Sequence, residues 1–151
     1  MNRKLLAGLA CLAPLALALS ACNTTAKPEV AWKDFSQARI DTWMELDPAF
    51  AIYQGDHRKD GKLPDWSEAG LKARTAFLHD LVDKAGAYGD LAGADRFERD
   101  YLVQAAKREL FWIEVADQPH TNPAWYVGGG LDPNVYVTRE YADKPTRMKA
   151  M

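Results

Sequence analysis

Cysteine is scarce in this chain of 151 residues, and the two present, Cys11 and Cys22, both lie near its start. Everything after Cys22 has no thiol, which excludes a disulfide framework and leaves packing to stabilise any domain there. Histidine is nearly as scarce: His57, His79 and His120. A zinc-binding helix shows two histidines four residues apart with a glutamate between them, and separations of 22 and 41 residues carry no such signature. No serine stands in a G-x-S-x-G elbow, and Ser36 and Ser67 read as helix residues. Gly128, Gly129 and Gly130 lack the lysine and hydroxyl residue of a phosphate loop and read as a turn or lid. There is no basic stripe, which excludes ordinary nucleic-acid binding. The longest apolar run, Leu5 to Leu19, has 15 residues, short of the roughly 20 that span a bilayer.

That run has the flanks of a secretory signal. Asn2, Arg3 and Lys4 form a short basic start, and the small residues Ser20 and Ala21 end it. Leu19-Ser20-Ala21-Cys22 resembles the lipobox of bacterial lipoproteins. The resemblance implies cleavage before Cys22 and acylation of that cysteine, with several chains giving stable anchoring. Asn23 is not the aspartate of an inner-membrane retention signal, so the expected location is the outer membrane, facing the periplasm. The expected layout is a signal over residues 1–21, a lipidated tether over 22–28 and a helical region over 29–151. Without Arg3 and Lys4, the 19 basic residues fall to 17 against 21 acidic ones, a net of −4. All five tryptophans follow the tether, an aromatic load that predicts a packed domain.

The remaining chain reads as all-α with long irregular loops. Ala31, Phe35, Ala38, Thr42 and Leu46 recur at helical steps and predict a helix from Glu29 to about Leu46. Asp47 and Pro48 cap and restart it, giving a short helix over Ala49–Gln54. Gly55 to Trp66 is a polar loop broken by Gly61 and Pro64. Ser67 is the next expected cap, followed by a stripe of Leu71, Thr75, Leu78, Val82 and Ala85. A third helix is expected from Asp95, boxed by Glu98, to about Ala116; Leu102, Ala106, Leu110 and Ile113 are its buried line, broadened by Phe97 and Tyr101. Val135 to Thr138 suits a strand by composition and a helix by the Asp132-Pro133 before it, with helix preferred. Pro145 opens a last helical stretch, too short to stand alone, which leads to the expectation that the chain is the first part of a longer protein.

Three residues stand out as site candidates. His57 lies between Asp56 and Arg58 with Asp60 nearby; carboxylates beside it either tune it for proton transfer or simply hold the loop. Arg58 shares that turn. Arg139, in the cluster Arg139-Glu140-Tyr141, either anchors a buried ion pair or faces a cleft. His79 reads as a solvated histidine on a polar helix side.

The loop and the tail carry a resemblance. Gly55-Asp56-His57-Arg58, Asp60-Gly61 and Leu63-Pro64-Asp65-Trp66-Ser67 resemble a stretch of the domain-of-unknown-function 885 family of bacterial lipoproteins. Asn122-Pro123, Tyr126, the run Tyr136 to Tyr141, Arg147 and Ala150-Met151 are similar to its next part. Lys59 departs from the aromatic residue of that pattern. The resemblance covers roughly Phe35 to Met151. It implies a longer, mostly helical protein of zincin-metallopeptidase type, with its HExxH-like helix far downstream and no zinc ligand here. The implied activity is a zinc-dependent peptidase acting on peptides, to which this part contributes a helical wall and part of a cleft. The alternative is a non-enzymatic helical envelope lipoprotein, a binding or structural module.

Overall fold

The computed structural model describes residues 28–127 and 132–151. The expected signal, the expected lipid site Cys22 and the triple glycine lie outside the described residues. Among those described there are eight α-helices and no strand. They are α1 (Trp32–Leu46), α2 (Pro48–Tyr53), α3 (Glu68–Gly86), α4 (Gly93–Leu110), α5 (Gln118–Thr121), α6 (Ala124–Val127), α7 (Asn134–Thr138) and α8 (Lys144–Lys149). No helix among them is long and apolar enough to cross a membrane.

Local chemistry sets most of the boundaries. Asp47 ends α1 and accepts the Phe50 amide at 3.0 Å, so one residue stops a helix and caps the next, with Pro48 in its first turn. Ser67 accepts the Gly70 amide at 3.2 Å and starts α3. Asp143 caps α8 through the Thr146 amide at 3.0 Å. The Val135–Thr138 run is helical, as the Asp132-Pro133 pair favoured. Past Leu110 the helix continues to Val115 as a π-turn, with the Ala116 amide bonded to the Phe111 carbonyl at 2.9 Å. Asp117, at φ +47°, then reverses the chain.

Helices α1, α3 and α4 run up, down and up. Cross-contacts fix the senses: Trp43 meets Phe77 and Trp32 meets Tyr88 across α1 and α3, while Arg99 bonds Tyr88 and His79 meets Glu114 across the α3–α4 pair. Trp32, Trp43, Phe77, Leu78, Leu81, Leu102, Leu110 and Ile113 fill the space between them. A second, smaller cluster lies apart from this bundle, where Ile52 of α2 packs on Val135 and Tyr136 of α7, with Tyr141 and Ala150 at its edge.

Several sequence expectations need correction. α1 begins at Trp32, and its inner face is Trp32, Ser36 and Trp43 rather than the line through Ala31, Ala38 and Thr42. α3 buries Phe77 and Leu81 beside Leu71, Leu78 and Ala85, whereas Thr75 and Val82 sit at the margin. α4 begins at Gly93 without a side-chain cap. The Asp95–Glu98 box does not form, and Glu98 instead accepts the Trp32 indole N–H at 3.3 Å. Phe97 and Tyr101 do not broaden the buried line: they are 73% and 66% exposed.

The junction of the bundle is ionic. Arg74 of α3 bonds Asp47 through Nη2 at 2.6 Å and sets the same nitrogen against Glu109 of α4. Burial raises the Glu109 carboxyl above its usual range, against the opposing pull of Arg74. Removing the guanidinium strands two carboxylates. Arg74→Ala is expected to destabilise the fold by about 3 kcal/mol, and Arg74→Met with Glu109→Leu by much less. Urea melts of both variants decide this; equal losses would show that stranded charge is not the cause.

Candidate functional site

The polar loop between α2 and α3 is held from three directions. Asp56 caps a 3₁₀ turn at His57–Lys59 by accepting the Arg58 amide at 3.1 Å. It also takes the Arg58 guanidinium in a fork at 2.6–3.0 Å, which holds its carboxyl down at about 2. Arg58 is therefore turned back onto its own loop and toward Asp41 of α1, 3.7 Å away. Lys59 pairs with Glu45 of α1. Lys59 thus fastens the loop to α1 by charge.

His57 faces the other way. Its Nδ1 lies 3.0 Å from Asp60 Oδ1, and its ring stacks on Tyr141 with centroids 3.3 Å apart and planes within 9°. The Tyr141 hydroxyl donates to the other Asp60 oxygen at 2.6 Å. Burial first and Asp60 second push the Tyr141 phenol up to about 12. The carboxylate so placed favours the tautomer with hydrogen on Nδ1 and leaves Nε2 as the basic nitrogen. Among the described residues Nε2 has no hydrogen-bond partner.

Next to this trio the loop meets α7 and α8. Gly61, at φ +72°, donates its amide to the Tyr136 hydroxyl at 3.1 Å. A Cβ at Gly61 would stand 3.3 Å from the Ala150 carbonyl oxygen, so the position suits glycine for both conformation and space. Arg147, 8% exposed, pairs with no carboxylate among the described residues. Its Nη1 donates to the carbonyls of Tyr136, Val137 and Arg139 at 2.9–3.1 Å, and its Nε to that of Ala142 at 3.0 Å. These include the last carbonyls of α7, which a cation suits.

Arg139 likewise forms no ion pair among the described residues. It donates to the Tyr53 carbonyl at 2.7 Å and sits 5.8 Å over the Tyr53 ring, whose hydroxyl reaches Asp132 at 3.2 Å. A cavity of about 200 Å³ opens between α2, the loop and α7, lined by Ile52, Tyr53, Lys62, Leu63, Tyr136 and Met151. The structure thus gathers His57 and Arg139 around the small cluster and leaves Arg58 on the α1 side. Of the residues that complete the arrangement, Tyr53 was not singled out from sequence, Asp60 was named only as a carboxylate near His57, and Arg147 only within the tail stretch, with no role given.

His79 and His120 form a separate pair of cross-links. His79 Nε2 lies 2.9 Å from Glu114, and His120 sits between Asp117 at 2.5 Å and Glu68 at 2.8 Å. His79 is exposed, as its polar setting suggested, and engaged by charge.

Two outcomes test these geometries. The Asp117 and Glu68 hydrogen bonds raise His120 from 6.5 to about 8. A raised histidine stabilises the fold fully below its unfolded value and loses that contribution as pH rises through about 8. NMR titration should place its midpoint near 8, and His120→Gln should flatten the pH dependence of melting between 6.5 and 8; a midpoint at 6.5 refutes the cross-link. Tyr141→Phe removes a donor to a carboxylate, with an expected loss of about 1.5 kcal/mol in thermal or urea melts. No family model, curated protein or solved structure matches this chain.

Proposed function

We propose that these helices are the N-terminal wall of a membrane-anchored hydrolase, a zinc-dependent peptidase whose metal site is built by residues outside those described. One observation carries the reading. The two stretches that resemble the same family, far apart in sequence, meet in space around a cavity. Asp60 meets Tyr141, Gly61 meets Tyr136, and the Arg147 clamp holds the second stretch in shape. A polar loop fastened this closely to a cavity rim is the kind of rigid support on which cleft residues work.

The described residues do not themselves fit a zinc centre. Among them no group of three or more His, Cys, Asp or Glu side chains stands where a metal could be held. No catalytic step through zinc is therefore assigned to them. Their part in this reading is positional: Asp60 orients His57 so that Nε2 can accept a proton or hydrogen bond, and Tyr53 and Tyr136 shape the cavity. The tether at Cys22 would set the wall at a lipid bilayer, on the periplasmic side of the outer membrane.

A second reading has its own support. Arg58, Arg139 and Asp60 all have partners within the fold, which suits a non-enzymatic envelope lipoprotein serving as a binding or structural module.

The two readings part on the gene and on one assay. The hydrolase reading expects the reading frame to continue past Met151 into an HExxH-like helix, and its full product to cleave peptides until a chelator removes the metal. A stop codon directly after Met151, or cleavage indifferent to chelation, refutes it. In an active full-length protein, His57→Ala is expected to lower kcat/KM per folded molecule on the order of 100-fold. A loss confined to stability would assign the loop to scaffolding alone.

A further inference from the structure

Helix α4 is apolar on two opposite faces. Leu102, Ala106, Leu110 and Ile113 point into the bundle. Half a turn around, Phe97, Tyr101, Phe111 and Val115 repeat at the same helical period, and Trp112 stands beside them. Their exposures are large: 73% for Phe97, 66% for Tyr101 and 72% for Val115, with Phe111 and Trp112 near one half. The aromatics already pair within the stripe, Phe97 on Tyr101 at 6.3 Å and Phe111 against Trp112 at 5.1 Å. An isolated exposed aromatic needs no explanation, but four along one face of a single helix mark an interaction surface.

The charges beside the stripe identify the partner. Asp100 flanks its N-terminal half, with Arg96 3.9 Å away, and Lys107 and Arg108 flank its C-terminal half. Gln104 lies midway, seven residues from Phe97 and seven from Phe111. Turned about a two-fold axis at Gln104, the stripe matches itself. Phe97 of one copy meets Phe111 of the other, Tyr101 meets Lys107, and Asp100 meets Arg108. A two-fold interface requires this self-complementarity, with each residue and its partner exchanging places across the axis. Aromatic side chains carry roughly 150–250 Å² each, so four at partial exposure supply on the order of half of the ~800 Å² per partner that a stable dimer buries. Gln104 and the flanking charges supply the rim.

We infer that α4 is the contact of a symmetric homodimer, in which two copies of this chain pair their α4 helices antiparallel about Gln104. Asp100 is then shared between the partner's Arg108 and its own neighbour Arg99, which it bonds at 2.6 Å within one copy. The inference does not rest on the hydrolase reading, and its test involves no turnover.

Cysteine cross-linking of the full chain tests both pairing and register, with the background from Cys11 and Cys22 read from the unsubstituted protein. Gln104→Cys sits on the axis and is expected to give a dimer band under mild oxidation that reductant removes. Phe97→Cys mixed with Phe111→Cys is expected to cross-link far better than either alone. Asp100→Arg and Arg108→Asp should each weaken dimerisation about tenfold in sedimentation, and the double variant should recover most of that loss. All of these positions lie on the outer side of α4, so circular dichroism should show each variant folded. Three results overturn the inference. One is a Gln104→Cys variant that a thiol reagent labels yet that never cross-links. Another is Phe97→Cys linking to itself. The third is a monomer that adheres to anionic phospholipid vesicles through Phe97 and Trp112, which would give the stripe to a lipid surface.

Discussion

Arg74 decides where the polar loop can go. Its guanidinium reaches Asp47 and Glu109 with one nitrogen and so locks three helices at one point. Asp47 simultaneously caps α2. The direction in which α2 leaves the bundle is therefore set by a residue whose own position is set by Arg74. The loop carrying His57 follows α2 directly. A lysine is not an equal replacement, because its compact ammonium holds water more strongly than a guanidinium and costs more to bury. The junction is not a cheap source of stability, since Arg74 Nε and Glu109 Oε1 are buried with no well-directed hydrogen bond among the described residues. Its value is geometric. Buried charge tolerates few alternative arrangements, because every other one leaves a carboxylate unpaired in a dry place.

The small cluster works by the opposite device. Arg147 is buried without an acid to pair it among the described residues, and its charge is spread over four backbone carbonyls. Those carbonyls belong to α7 and the turn after it, both too short to hold their shape alone. The arginine from α8 makes α7, the turn and α8 one unit. Tyr136 and Tyr141 then extend from that unit to the loop, one to the Gly61 amide and one to Asp60. His57 stands where the two halves close, oriented by Asp60 and covered by Tyr141. Its ring is therefore held in a fixed position.

Helices were legible where one residue type settles a boundary. Asp47-Pro48, Ser67 and Pro145 announced ends and beginnings because a cap or a ring acts locally. The helical choice for Val135–Thr138 came from its flank, against its β-branched composition. The misreadings arose where tertiary partners compete with local rules. Glu98 had the spacing of a capping box, but the Trp32 indole, 66 positions away, claimed its carboxylate. For the site, the turn around His57 was visible because charged residues crowd it. Asp60 as its orienting partner was half visible. The role of Arg139 was not, since a carbonyl acceptor such as that of Tyr53 leaves no mark in a side-chain pattern. The role of Arg147 escaped for the same reason.

Phe97 and Tyr101 were misread in a way that follows from how helices present apolar residues. Periodicity reports that a face is apolar, not which of two apolar faces meets the chain's own core. On α4 both faces carry the pattern. The inner one is settled by small and branched residues, Ala106 between Leu102 and Leu110, which let α3 approach closely. The outer one is aromatic and spaced around Gln104 and Arg108, which no monomer core would accept without partners. Cores of aliphatic residues and interfaces of aromatics with arginine are different solutions to burial. The composition of the outer face is that of a surface made to be covered by something that brings its own charges. An antiparallel copy of the same helix brings them at the matching positions.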